Sequence, residues 1–410
     1  MWSKYKIRSV NRDRILLKAA WGVNYCLTGN VSYDKIVICE DHGGTRLEIS
    51  LPLSSNVDVE SLKKDLGLSD CNYIDTEYIP MKRALLILWA GENIHKVNEH
   101  EETLKKVIGK KKVNSSPIPI RLFGGGAFKL HCKSSNKGGE FERKLNDIDI
   151  VVPRSHGSAA KNLLLCLGHI FGSLHTHFLL MSDKVFNAMR RGKRWRVRGI
   201  DAVEKDEHGC EVPVIGVMDI LTDEIEMRHT IDVREELKEP GIRNLYTIGL
   251  EKLLLTKCQF IEDHPKKYIK HLEDMGMSYR ILPYPYFNDD KFIIGMEYKD
   301  IVDVCALLHD HEIVDEDQKS SSRQNEAREQ LNMQKLNQIL SKDKKLRKTV
   351  RLNLEMLTQN IDEIPLKCSN KAKEKVCERC NILLSELPES PEKWGKPWWN
   401  TSLSDVEVKK

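Results

Sequence analysis

The stretch Leu145-Asn146-Asp147-Ile148-Asp149-Ile150-Val151-Val152 constrains this chain more than any other. Carboxylates and isoleucines alternate and then give way to valines, which fits a β-strand and no helical period. On a strand, Asp147 and Asp149 share one face while Ile148 and Ile150 share the other. Two neighbouring carboxylates repel, so a fold seldom places them together for stability. A divalent cation relieves the repulsion and gives the pair a use. A solvated strand can also carry D-x-D, so the pair needs companions before it points to chemistry.

Companions are present on both sides. Upstream, Ile120 to Phe123 reads as a strand running into Gly124-Gly125-Gly126, followed by a helix from Ala127 to Cys132. Glycines let backbone N–H groups approach a phosphate closely, and they also serve ordinary tight turns. Downstream, Val217-Met218-Asp219-Ile220-Leu221 embeds a carboxylate in an apolar strand, where it requires a partner. Asp232 lies in a further strand expected over Ile225 to Val233 and is the alternative third carboxylate; the strand of Asp219 matches that of the pair better. In a helix expected over Gly249 to Ile261, Lys257 falls on the apolar stripe of Leu250, Leu253, Leu254 and Ile261. Such a lysine either snorkels outward or meets an anion inside. Asp300 and Asp303 stand one turn apart at the start of another helix; they suit a nucleotide, a structural arginine or the helix dipole.

Charge narrows the partners. The 410 residues carry 65 basic and 61 acidic side chains, a net charge of +4, so any nucleic-acid surface must be a local patch. From Lys184 to Arg198 there are seven basic residues and no acidic one. Within it, Arg190, Arg191, Arg194 and Trp195 make a candidate acceptor surface, the arginines for phosphates and the tryptophan for stacking on a base. A solvated face is the plain alternative. No apolar run reaches the roughly 18 residues of a membrane span, and Met1 to Lys18 is broken by charge throughout. The eleven cysteines are scattered, several within apolar runs, which suits a reducing compartment. We therefore expect a cytoplasmic protein with no membrane partner.

Composition shifts divide the chain. Residues 1–115 read as a small α+β unit of no evident role, with β-rich runs at Lys35 to Cys39 and Thr45 to Leu51, helices at Ser61 to Leu66 and His100 to Ile108, and an apolar strand at Ala84 to Ala90. A turn-rich linker, Asn114 to Pro119, opens a core over 116–240, in which Ala159 to Leu180 reads as a long helical stretch, either continuous or broken at Gly172, and Trp195 to Val203 and Val212 to Leu221 as strands. Residues 241–385 read as helical, and 386–410 as an irregular tail. Its Trp394, Trp398 and Trp399 either dock on the body or form an aromatic partner-binding motif.

On these motifs the chain resembles the nucleotidyltransferase superfamily of the DNA polymerase β type. That pattern is G-[GS], a short helix, D-x-D on a strand and a third Asp on a neighbouring strand; Gly125-Gly126, Asp147-Ile148-Asp149 and Asp219 match it. The continuation is similar to the AbiEii-type group of prokaryotic nucleotidyltransferases. It is carried by Arg143 to Asp149, Met218 to Leu221, His229 to Asp232, Leu253 to Lys257 and Lys299 to Asp303, across residues 120–310 and more weakly to 360. Gly126 replaces the usual Ser, and residues 133–142 look like an inserted loop.

The resemblance implies an α+β fold: a polymerase-β-like core of mixed sheet and helices, a helical domain closing over the nucleotide, and the small α+β domain in front. It implies two Mg²⁺ ions held by Asp147, Asp149 and Asp219. An NTP would be bound by Gly124, Gly125, Gly126, Lys257, Asp300 and Asp303. The implied reaction moves NMP to a hydroxyl of RNA, protein or a small molecule and releases pyrophosphate. The basic run between the second and third carboxylate strands favours a nucleic-acid or polyphosphate acceptor. Toxin–antitoxin systems, and an antitoxin-like protein partner, come into view with the same group. The rival reading is a non-catalytic nucleotide- or RNA-binding module on the same fold.

Overall fold

The computed structural model describes the strands of the first fifty residues, then 58–76, 79–145, 147–171, 179–180, 192–205, 211–238, 246–265, 281–288, 291–315, 329–387 and 398–400. The fold is mixed α+β. Five strands, β1 (Ile7–Asn11), β2 (Arg14–Lys18), β3 (Asn24–Thr28), β4 (Lys35–Glu40) and β5 (Leu47–Ser50), form an antiparallel meander, each paired with the next.

Four helices follow: α1 (Val59–Asp65), α2 (Ile79–Glu92), α3 (Ile94–Asn98) and α4 (Glu101–Ile108). Asp58 caps α1 by accepting from the Glu60 N–H at 3.1 Å, and Gly109, at φ +67°, ends α4. The expected strand at Ala84 to Ala90 is the middle of α2 instead. Its residues are buried on every side, from Ala84 through Leu88 to Ala90, and a helix buried all round has no period that separates it from a buried strand. The linker is tied to α2, since Ile118 donates to the Gly91 carbonyl at 2.9 Å. One continuous hydrophobic core runs from Leu62 on α1 through these helices into the central sheet and the C-terminal helices.

That sheet has seven strands: β6 (Arg121–Phe123), β7 (Asp147–Val152), β8 (Leu179–Leu180), β9 (Arg194–Lys205), β10 (Glu211–Thr222), β11 (Glu224–Glu226) and β12 (Thr230–Asp232). The long strand β10 lies between β7, parallel to it, and β9, antiparallel to it; β6 flanks β7 and β8 flanks β9. Two expectations change here. The helical stretch from Ala159 ends close to the break weighed at Gly172, since α6 (Gly157–Ile170) stops at Ile170, but Leu179 and Leu180 belong to β8 rather than to a helix. The single strand over Ile225 to Val233 is a hairpin of β11 and β12, closed by the Met227 N–H donating to the His229 carbonyl at 2.9 Å.

Helix α5 (Gly124–His131) leaves β6 and packs on β7, while α6 covers β9 and β10. Past the short α7 (Arg234–Lys238), α8 (Leu250–Cys258), α9 (Tyr298–Asp310), α10 (Met333–Lys342), α11 (Lys344–Asn360) and α12 (Asn370–Glu386) form a helical layer; α8 and α9 contact α5 and each other. This region is not wholly helical as expected. Strands β13 (Glu262–Pro265), β14 (Ile281–Asn288) and β15 (Lys291–Glu297) make a small antiparallel sheet inside it, and β16 (Glu312–Val314) pairs with β17 (Gln330–Asn332). No described helix is long and apolar enough to cross a membrane. The tail tryptophans dock: Trp398 Nε1 donates to Thr349 Oγ1 at 2.9 Å, and Trp399 is buried against Ile261. Trp394 lies outside the described residues.

Candidate functional site

The site is built from strand register. Phe123 of β6 pairs with Asp149 of β7, Asp149 with Asp219 of β10, and Asp219 with Arg196 of β9. Residues paired across a sheet face the same way, so Asp149, Asp219 and Arg196 form a row on one face. Asp147 sits one period along β7 on that face, in register with Val217, and Arg194 one period along β9, in register with Leu221. The structure thus brings together Asp147, Asp149 and Asp219. Asp232 is elsewhere, exposed at the sheet margin and paired to Arg234 at 3.0 Å.

The glycines close the row from above. Gly124 begins α5 with φ +61°, a conformation that a side chain resists. A Cβ there would strike the Asp149 carboxylate, and one on Gly125 would strike the Arg143 guanidinium. At Gly126 the space within 4 Å is open, so this glycine faces no packing demand.

Electrostatics separate the three carboxylates. Burial first, then the charges of Asp147 and Asp219, push the Asp149 carboxyl well above its ordinary range, against the pull of Lys257 and Arg194. Asp219 is only 6% exposed, and burial alone would raise it too. The arginines outweigh burial. Arg196 donates through Nε to Oδ1 at 2.8 Å and through Nη2 to Oδ2 at 2.9 Å, and Arg194 donates through Nη2 to Oδ2 at 2.6 Å, so Asp219 stays below its ordinary value.

A second charged cluster adjoins the first. Lys257 Nζ lies 2.7 Å from Asp300 Oδ1 and 3.0 Å from Asp303 Oδ2, while Arg143 grips Asp303 through Nε at 2.7 Å and Nη2 at 2.6 Å. Lys257 does not snorkel; the anion it meets is this carboxylate pair, with the Phe128 ring 5.9 Å away. Lys257, Asp300 and Asp303, expected to bind nucleotide, are therefore paired with one another and with Arg143, leaving Asp300 Oδ2 buried without a hydrogen-bond partner. Burial opposes both charges, yet Arg143 and Lys257 hold Asp303 below its usual range.

The acceptor surface changes most. Arg190 and Arg191 lie outside the described residues. Arg194 faces inward to Asp219 rather than outward to an acceptor. Trp195, expected to stack on a base, points to the opposite face of β9 and packs on Gly157 at the start of α6. A cavity of ≈ 270 Å³ opens beside Arg194, lined by the cations Arg154, Lys193 and Arg234 and by the carboxylates Asp223, Glu224 and Glu226. Sequence reasoning missed Arg143 and Arg196 as members of the site. The period-two spacing of Arg194 and Arg196 was the available signal for the second; the first lies in a loop, where no period operates.

The carboxylate row offers oxygen donors only, the set that a hard divalent cation takes. Among the described residues, no group of three or more His, Cys, Asp or Glu is already arranged to hold a metal ion. Comparison of the chain with protein-family models, with curated proteins and with solved structures finds no match.

Proposed function

We propose that this protein is a magnesium-dependent nucleotidyltransferase that moves a nucleoside monophosphate from an NTP to a hydroxyl acceptor and releases pyrophosphate. The observation that supports it is the register of Asp149 with Asp219 across two parallel strands, with Asp147 one period away and Gly124 laid against them. Burial and repulsion at Asp149, which Lys257 and Arg194 oppose but do not outweigh, fit a site made for a cation. Asp147, Asp149 and Asp219 would hold it. Bound there, magnesium would supply charge neutralisation for the attacking hydroxyl and for the departing pyrophosphate. The chain's own part is positioning. The first N–H groups of α5, freed of side chains at Gly124 to Gly126, offer donors to a phosphate, and the Arg143–Asp303 pair fixes the loop that precedes β7 against α9.

Incubation with each α-labelled NTP, Mg²⁺ and cell lysate tests this, with the labelled fraction naming the acceptor class as RNA, protein or small molecule. Asp147→Asn is expected to abolish labelling and Asp232→Asn to leave it intact. Undiminished transfer by a folded Asp147→Asn protein would end the enzyme reading. The second reading, a non-catalytic nucleotide- or RNA-binding module, is favoured by one observation: two arginines already occupy Asp219. It predicts nucleotide or RNA binding with no labelled product under any of the four NTPs.

A further inference from the structure

The opening of α11 carries a charged surface that neither buried cluster uses. From Met333 to Leu354 the chain has seven basic residues and one acidic residue, Asp343. The whole chain has a net charge of +4, so outside this stretch it is slightly acidic. We propose that the corner formed by Lys342, Lys344, Lys345 and Arg347 binds the phosphates of a single-stranded nucleic acid. The inference goes beyond the transferase reading and holds whether the protein transfers nucleotides or only binds them.

These cations sit where the fold gains nothing from them. The start of a helix carries positive partial charge and favours acids, yet the first turn of α11 holds Lys344, Lys345 and Arg347 and no acid. Lys344 lies one turn from both Arg347 and Lys348, a spacing at which like charges destabilise a helix. Asp343 is engaged in capping: its carboxylate accepts from the Lys345 and Leu346 N–H groups, each at 2.9 Å. The groups left for a ligand are therefore side chains, not the helix end. Lys342, Lys344 and Lys345 are exposed, and neither they nor Arg347 has an ion-pair partner among the described residues. Arg347 Nε is also buried without a hydrogen-bond partner.

The surroundings choose the partner. The apolar face of α11, with Leu346, Val350, Leu354 and Leu357, is buried in the core, so this helix has nothing to insert into a lipid surface. The corner is mostly lysine, which protein–protein interfaces avoid and phosphate backbones attract. Helix α11 packs against α8, α10 and α12, which leaves it no free flank for the groove of a duplex. Lys348 Nζ lies 3.9 Å over the half-buried Trp398 ring, and cations set beside an aromatic ring are the arrangement of single-strand sites. A hydrogen bond of 2.8 Å between Thr349 Oγ1 and His229 Nε2 ties the same helix to the turn of the β11–β12 hairpin, and so to the sheet of the carboxylate row.

The test measures binding of a fluorescent oligouridylate to the full chain by anisotropy, without NTP, from about 50 to about 200 mM NaCl. Lys344→Gln, Lys345→Gln and Arg347→Gln together are expected to lower the log–log salt slope by about 2, at roughly 0.7 per phosphate contact, and to weaken binding about tenfold or more. The control removes the same charge elsewhere. Lys110→Gln, Lys111→Gln and Lys112→Gln, on exposed residues past the end of α4, should change the slope by less than about 0.7, one contact. No loss in the first variant, equal loss in both, tighter binding of a duplex of the same length, or no binding by the unsubstituted protein overturns the proposal. Binding of phosphatidylserine vesicles in place of the oligonucleotide overturns it as well. A second measurement needs no variant. Bound oligouridylate should protect Lys342, Lys344 and Lys345 from acetylation several-fold more than Lys110, Lys111 and Lys112, read by peptide mass spectrometry. Uniform protection, or none, overturns the proposal even if the first variant does not fold. Both measurements omit NTP, so their failure leaves the transferase reading standing, and absent nucleotide labelling leaves this one standing.

Discussion

Two buried charge clusters meet around β7 and differ in their balance. In the cluster of Arg143, Lys257, Asp300 and Asp303, two cations face two carboxylates, with contacts of 2.6–3.0 Å. In the row of Asp147, Asp149 and Asp219, three carboxylates face Arg194 and Arg196, and both arginines serve one of the three. The first arrangement matches cations to carboxylates in number, though Asp300 Oδ2 is buried without a hydrogen-bond partner, and it ties α8 and α9 to the loop before β7. The second leaves Asp149 carrying the repulsion of its neighbours. A balanced buried cluster is a joint, whereas an unbalanced one is a site waiting for charge.

The largest expected effect breaks the balanced side. Asp303→Ala leaves Arg143 without its bidentate partner and should cost about 3–5 kcal/mol by urea denaturation; a loss below about 1 kcal/mol would show that the cluster is not a joint. Next comes the glycine between the clusters. Gly124→Ala must adopt φ near +61° and push on Asp149, at about 1–3 kcal/mol, while circular dichroism confirms the fold.

On the unbalanced side the sign reverses. Asp149→Asn removes the repulsion and should stabilise the protein in EDTA by about 1–2 kcal/mol while abolishing transfer. The pH dependence follows. Asp303 and Asp219 are depressed in the fold, so their stabilisation is full above about pH 3.9 and is lost as pH falls through their lower folded values. Asp149 is raised, so it removes stability as pH climbs from about 3.9 towards its folded value. Urea midpoints against pH should lose part of the acid arm in Asp303→Asn, the rest staying with Asp219, and the rising-pH decline in Asp149→Asn; on the proposed function, Mg²⁺ should suppress the same decline in the unsubstituted protein. The smallest effect is Gly126→Ala, with φ ordinary and space open, which should gain about 0.5–1 kcal/mol.

The legible parts of this molecule are those whose physics is local. Strand period placed Asp147 and Asp149 on one face, and the apolar setting of Asp219 marked it ahead of Asp232 as the strand carboxylate; register then puts it beside Asp149. Arg194 was misread because its partner lies on another strand: nothing near Arg194 or Arg196 in sequence announces Asp219. The turn Met227-Arg228-His229 has no glycine or proline, so the β11–β12 hairpin read as one strand. The β13–β15 sheet was unforeseen because the prolines of Ile281–Asn288 argue against a central strand, whereas β14 lies at the edge of its sheet, where a proline is tolerated.

The double pairing of β10 also orders assembly. Its antiparallel partner β9 is the preceding strand, so that ladder closes a short loop and can form early. Its parallel partner β7 must wait for the crossover through α6 and β9. Asp219 is therefore expected to meet Arg196 before it meets Asp149, so that like charges are joined after one of them has been neutralised. Refolding kinetics carry the signature: Arg196→Ala should slow the folding arm of the chevron, whereas Ile150→Val on β7 should chiefly speed the unfolding arm.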